Sequence, residues 1–185
     1  VIDFLLDHLD SSSKIFEYGG GGSTCFFTKR ILAAEVVTVE HDQDWFRKLE
    51  EKMEGLAQSK WKGIHAGPEE GSAGKDVSDP FVYSSDDPAF RNMNFKKYAS
   101  CIDSFPDDYF DLVLVDGRAR PSCLVHALPK VKLNGYLLLD NAEREYYLRK
   151  TEPLIRKKFT KVLSKTGPCP YAHEFTTSMI WRRDT

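Results

Sequence analysis

The chain has 185 residues with 26 basic and 28 acidic side chains, a net charge of −2 and an apolar fraction of 41%. That size suits one compact α/β domain spanning the chain, and the composition is that of a folded, water-soluble protein rather than a disordered or fibrous one. The charge balance provides no footprint for nucleic acid or a membrane surface, and no apolar run reaches the length of a bilayer span.

Ile2, Leu5, Leu6 and Leu9 mark a short amphipathic helix, after which Ile15-Phe16-Glu17-Tyr18 runs as a strand into Gly19-Gly20-Gly21-Gly22. Phe26, Phe27, Ile31 and Leu32 recur at helical spacing beyond that loop. The β-branched run Val36-Val37-Thr38-Val39 closes on Glu40, and Asp42 can cap a helix with Trp45, Phe46, Leu49, Met53 and Leu56 on one face. A weaker strand pattern covers Trp61 to Ala66. Residues 67–92, rich in Gly, Ser, Asp and Pro, read as an irregular loop with at most one helical turn. The run from Phe110 to Val115, ending at Asp116-Gly117, fits a strand buried on both faces of a parallel sheet. Cys123, Leu124, Ala127, Leu128 and Val131 then share a helix face. Asn134-Gly135 turns into the strand Tyr136 to Leu139, which ends at Asp140-Asn141. A helix over about 142–158 tolerates Pro153 only as a kink or a break. Strands near 160–164 and 176–182 finish the chain. This alternation implies a doubly wound sheet with right-handed crossovers.

Cys25, Cys101, Cys123 and Cys169 are widely spaced with no Cys-x-x-Cys pair. They read as reduced thiols of a cytoplasmic protein, and no secretory leader is visible. The chain opens on Val1 rather than Met, as a processed or truncated segment would. The most basic stretch, Arg156-Lys157-Lys158 with Lys161, reads as a solvated helix end.

In a doubly wound sheet, ligands bind at the carboxyl edge where strand order reverses. The glycine loop, Glu40, Asp116 and Asp140-Asn141 all fall on that edge. Glycines let the backbone approach a ligand, and the loop suits a dinucleotide pyrophosphate or an adenosyl sulfonium ligand. The dinucleotide fingerprint Gly-x-Gly-x-x-Gly fails in both frames, because its last position is Thr24 or Cys25. Glu40, 21 positions after Gly19, can accept both hydroxyl protons of a ribose in either reading.

Phe16 to Ser23 resembles the first motif of class I S-adenosylmethionine-dependent methyltransferases, an acidic residue followed by Gly-x-Gly and a small residue. Val39-Glu40 resembles their acidic second motif, Phe110 to Asp116 the fourth, and Leu133 to Leu139 the fifth, with Asn134 and Tyr136 departing from its usual form. Residues 115–120 and 139–144 are similar to a poorly characterised branch of small bacterial-type members. The resemblance implies a three-layer α/β/α Rossmann-like fold with a seven-stranded, mainly parallel sheet and an antiparallel last strand. It implies that Glu17, Gly19, Gly21 and Ser23 line the methionine and ribose part of S-adenosyl-L-methionine, with Glu40 on the ribose hydroxyls and His41 beside the adenine. The acceptor expected is a small molecule, methylated at oxygen. Asp116 is the first candidate for positioning it or acting as base, and His173, in a late loop, is a second catalytic candidate. Arg118 and Arg120 could attract an anionic acceptor. Some likeness to catechol-type O-methyltransferases implies a divalent cation such as Mg²⁺ held by Asp116, Asp140 and Asn141; a helix capping box over Asp140 to Glu143 needs no ion. An NAD-dependent oxidoreductase and a non-catalytic adenosylmethionine-binding protein remain alternatives.

Overall fold

The computed structural model describes residues 1–54, 60–71, 74–168 and 174–185. In chain order its strands are β1 (Lys14–Tyr18), β2 (Glu35–Glu40), β3 (Trp61–His65), β4 (Glu69–Glu70), β5 (Met93–Asn94), β6 (Phe110–Val115), β7 (Val131–Leu139), β8 (Phe159–Pro168) and β9 (Phe175–Arg183). Seven form one sheet in the order β3-β2-β1-β6-β7-β9-β8, while β4 and β5 pair separately. The five strands from β3 to β7 in that order run parallel, and β9 is antiparallel to both neighbours. This is the three-layer α/β/α architecture with an antiparallel last strand.

Alternation along the strands sends side chains to two apolar layers. Phe16, Tyr18, Val113 and Val115 face α4 (Lys96–Ser100) and α5 (Arg120–Ala127), where Tyr98 and Leu124 are fully buried. Ile15, Leu112, Leu114 and Leu138 face α1 (Ile2–His8) and the turn that follows α2 (Gly22–Phe26), through Leu5, Leu9, Phe27 and Ile31. That turn, Phe27–Ile31, is π-helical and ends on Leu32, which is exposed and in the left-handed region at φ 57°. Strand order reverses between β1 and β6, which opens a crevice at their carboxyl ends.

Several local expectations change. Trp45, in α3 (Gln43–Glu54), is half exposed, unlike Phe46, Leu49 and Met53, because its indole N–H reaches back to the Gly20 carbonyl at 2.8 Å; Leu56 lies outside the described residues. Val131 opens β7 instead of extending α5. The Asn134-Gly135 turn is a wide bulge inside β7: Phe110 pairs with Val131 and Leu112 with Tyr136, and Asn134 takes φ 62°. The expected helix over 142–158 reduces to a 3₁₀ turn, Glu145–Tyr147, and α6 (Glu152–Ile155), with Pro153 in the first turn of α6 where its missing N–H costs nothing. The loop after β3 is irregular and carries one 3₁₀ turn, Pro88–Phe90, capped by the Asp87 carboxylate. The hydrophobic pattern marks nothing over 93–109, where β5 and α4 lie. Among the described residues no helix is long and apolar enough to cross a membrane.

Candidate functional site

The crevice is a cleft of about 350 Å³ lined by Gly19 to Ser23, Glu40 and His41 on one side and by Asp116, Gly117, Arg118 and Arg120 on the other. Gly19 takes φ 87°, and a Cβ there would lie 3.0 Å from the Gly117 Cα, so the loops after β1 and β6 touch through bare backbone. A Cβ on Gly20 would collide with Leu49 Cδ2 at 2.4 Å and Thr38 Cγ2 at 2.6 Å. Gly21 and Gly22 instead face open space, with nothing nearer than Trp45 Cζ2 at 4.0 Å from a Cβ on Gly21. One pair of glycines permits packing and the other leaves room for a ligand.

Glu17 does not line the cleft. It is fully buried beneath the loop and accepts hydrogen bonds from the hydroxyls of Ser23 (2.7 Å), Thr24 and Thr38 (2.7 Å). The Gly21 N–H donates to Thr24 Oγ1 and the Trp61 indole N–H to Thr38 Oγ1, so both hydroxyls relay the loop and β3 onto one carboxyl. Burial raises its pKa from 4.5 to about 7 against the pull of those hydrogen bonds, with Asp116 adding to the rise. Ser23 is at the cleft wall, though its hydroxyl is committed to Glu17.

Glu40 has the opposite environment. Burial pushes its pKa up, but the His41 ring, the Asp42 N–H at 2.9 Å and the Gly20 N–H outweigh it and hold the carboxyl below its ordinary value; the His41 N–H also donates to it, at 2.7 Å. Among the described residues its Oε2 receives only the Gly20 N–H, at 3.2 Å, which leaves acceptor capacity toward the cleft. His41 packs edge-on against Phe90 at 5.2 Å. Its Nδ1 is buried 2.6 Å from Glu40 Oε1 without the alignment of a hydrogen bond, and it has no other partner among the described residues. Arg118 closes this end, paired with Asp87 at 2.9 Å and stacked over Phe90 at 5.2 Å.

Asp116 ends β6 across the cleft. Surrounding protein desolvates its carboxyl and raises its pKa to about 6; Arg120 opposes the shift, and the Asp140 and Glu40 carboxylates add to it. Its side chain is nevertheless 40% accessible, because the carboxyl opens onto the cleft, and water there screens part of the effect. Arg120 is buried and spends its guanidinium on four contacts: Nε on the Gly117 carbonyl, Nη1 on the Asp140 carbonyl, and Nη2 on both the Asp116 carbonyl and Oδ1. It staples the ends of β6 and β7 and does not point at an anionic ligand.

The geometry lends no support to the expected cation triad of Asp116, Asp140 and Asn141. Asp140 Oδ1 accepts from Ser178 at 2.7 Å, Asn141 turns through the left-handed region at φ 51°, and the Arg120 guanidinium lies against Asp116. No group of three acidic, imidazole or thiol side chains able to hold a metal forms among the described residues. A positive guanidinium beside Asp116 does not fit a divalent ion. The capping box fails too, because no helix starts at Ala142; Glu143 accepts from the Thr177 N–H at 2.6 Å and secures β9. His173 lies outside the described residues. Sequence reasoning gave no role to Thr24 and Thr38, whose only signal was a hydroxyl facing a buried Glu, or to Asp87 and Phe90, which a loop far along the chain carries back to His41.

No protein-family model matches the chain, and no curated protein matches it. Solved structures do. An rRNA methylase from Streptococcus thermophilus superposes with TM-score 0.64 at 14% identity, over 100% of this chain and 94% of its own. A Streptococcus mutans protein in complex with SAH, provisionally a methyltransferase, gives 0.62 at 17% identity over 98% and 94%. The fold is that of the class I methyltransferases. A methyltransferase from Pyrococcus furiosus adds a third instance, with TM-score 0.59 at 14% identity over 99% of this chain and 81% of its own. A shared fold at such identities leaves the acceptor open.

Proposed function

We propose that the protein transfers a methyl group from S-adenosyl-L-methionine to a hydroxyl oxygen of a small molecule. The observation that carries this reading is the switch-point cleft itself: open backbone at Gly21 and Gly22, Glu40 with unused acceptor capacity on one wall, and Asp116 facing it from the other. Its volume, about 350 Å³, is within the range of small-molecule sites. Glu40, held ionised, suits the ribose diol, and the His41 ring, with Phe90 and Arg118 beside it, suits the adenine end. When bound, the cofactor supplies an electrophilic methyl on a sulfonium whose thioether leaves readily.

With the cofactor bound, Asp116 would hold the acceptor hydroxyl and take its proton while the methyl passes from sulfur to that oxygen. A carboxyl titrating near 6 is ionised at neutral pH yet more basic than an ordinary Asp, as a general base requires. The reading calls for no cation, because Arg120 already bears on one oxygen of the Asp116 carboxylate. The reading is tested by calorimetry with SAH and with NADH. SAH should bind and NADH should not; binding of NADH alone would establish the oxidoreductase alternative instead. Asp116→Asn should retain SAH binding and lose about 10²–10⁴ in turnover, and the wild-type rate should rise with pH through about 6. An unchanged rate in Asp116→Asn would leave a binding protein or a different base.

A further inference from the structure

A second cleft of about 260 Å³ opens on the other side of Asp116 and shares Gly22, Ser23 and Asp116 with the first. It is built in two tiers by strand alternation. Asp116, Asp140 and Ser178 form the upper tier at the strand ends, and Leu114 and Leu138, two positions deeper on the same face, form the floor. The walls are apolar: Ile2 and Leu5 from α1, and Phe26 and Phe27, which sit at 5.6 Å in an edge arrangement. Polar groups therefore cluster at one end, at the residue shared with the cofactor cleft.

We propose that this cleft seats the body of the methyl acceptor, and that the acceptor is an uncharged, apolar compound of about one ring carrying a hydroxyl, with no anionic group. The inference rests on the methyltransferase reading and adds the acceptor class to it. Size sets the first limit, since the cleft lies below the roughly 300–1,000 Å³ of drug-sized sites. Charge sets the second. Among the described residues no cationic side chain lines the cleft, two carboxylates do, and Arg120, the nearest guanidinium, is buried with four of its five N–H donors committed to Gly117, Asp140 and Asp116. A carboxylate or phosphate on the acceptor would meet Asp116 and Asp140 at the rim or Leu114 and Leu138 at the floor, and either placement lacks a partner for the charge. A hydroxyl alone can reach Asp116 while the body stays on the apolar floor.

The test is binding of 4-methylphenol and 4-hydroxybenzoate to the SAH-saturated protein, followed by NMR titration. The phenol should saturate in the millimolar range, and the carboxylate should bind at least about tenfold more weakly. Leu138→Trp, which fills the floor, should abolish phenol binding while the SAH dissociation constant moves by less than about threefold. Should that variant not fold, Ile2→Asp at the exposed rim should weaken the phenol instead. Equal affinities for the two probes, no phenol binding to the SAH complex, or phenol binding untouched by either folded variant would overturn the proposal. Failure of SAH itself to bind would be seen first and would defeat the methyltransferase reading on which it rests.

Discussion

Replacing Glu17 by Gln tests whether the carboxyl beneath the glycine loop is a structural acid rather than a ligand-binding one. Glu17 has an ordinary pKa of 4.5 in the unfolded chain and one of about 7 in the fold, mainly through burial. The folded state therefore holds the proton more tightly, so its contribution to stability is complete below about 4.5 and is lost as pH rises through about 7. At about 1.4 kcal/mol per pH unit, the difference amounts to roughly 3 kcal/mol across that window. Gln is nearly isosteric: its carbonyl can accept from Thr24 and Thr38, and its amide can donate to a reoriented Ser23 hydroxyl. Urea denaturation of both proteins from about pH 5 to about pH 8 gives the comparison, with equal m-values as the control for a common unfolded state. Other groups titrate over this range, but they are common to the two proteins and largely cancel in the difference. Wild type should lose stability relative to Glu17→Gln as pH rises. Parallel profiles would refute the buried-acid assignment, and so would a variant that is unfolded at every pH.

Glu40→Ala should weaken SAH binding by roughly 1.5–3 kcal/mol for each hydrogen bond lost to the ionised carboxylate, measured by calorimetry on protein shown by circular dichroism to be folded. Arg120→Ala removes the staple between Asp116 and Asp140 and should lower stability by about 2 kcal/mol, less than for a fully buried pair because Asp116 opens to solvent; chemical denaturation reads it. Gly20→Ala should cost about 1–3 kcal/mol by overpacking against Leu49 and Thr38, whereas Gly22→Ala, with nothing within 4 Å, should leave the fold unchanged in the same assay. Methyl transfer should proceed at full rate after exhaustive chelation, and a loss restored by Mg²⁺ would reinstate the ion at Asp116.

The sheet was legible because its strands are buried on both faces and so read as continuous apolar runs, as Phe110 to Val115 does. The glycine loop and Glu40 were legible for a related reason: their positions follow from where strands end. What periodicity could not show was the direction of a polar side chain. Glu17 alternates with Phe16 and Tyr18 and so falls on the same sheet face as Ile15, beneath the loop, yet motif likeness alone assigned it to the cofactor. Arg120 follows a strand and opens a helix, a context that suggests a solvent-facing charge; only the meeting of β6 and β7 supplies the carbonyls that bury it. The helix expected over 142–158 failed because Asp140 to Glu143 is tied to β9 through Ser178 and Thr177, contacts across about 35 residues that local patterning does not contain.

Glu40 and Asp116 stand on opposite walls of the same cleft, and their environments push them in opposite directions. The His41 ring and backbone N–H groups explain the difference. Glu40 accepts from Gly20, His41 and Asp42, because the chain curls around the carboxylate as β2 gives way to α3. Among the described residues Asp116 receives no backbone N–H; the loop after β6 turns away through Gly117, and a Cβ there would fall 1.9 Å from the Tyr98 hydroxyl. Its main compensation is Arg120, which must also hold three carbonyls. One carboxylate is thus fixed as an anion suited to binding, and the other is left basic and reachable, suited to taking a proton. That division of labour follows from which loop donates and which does not, and it requires no metal between them.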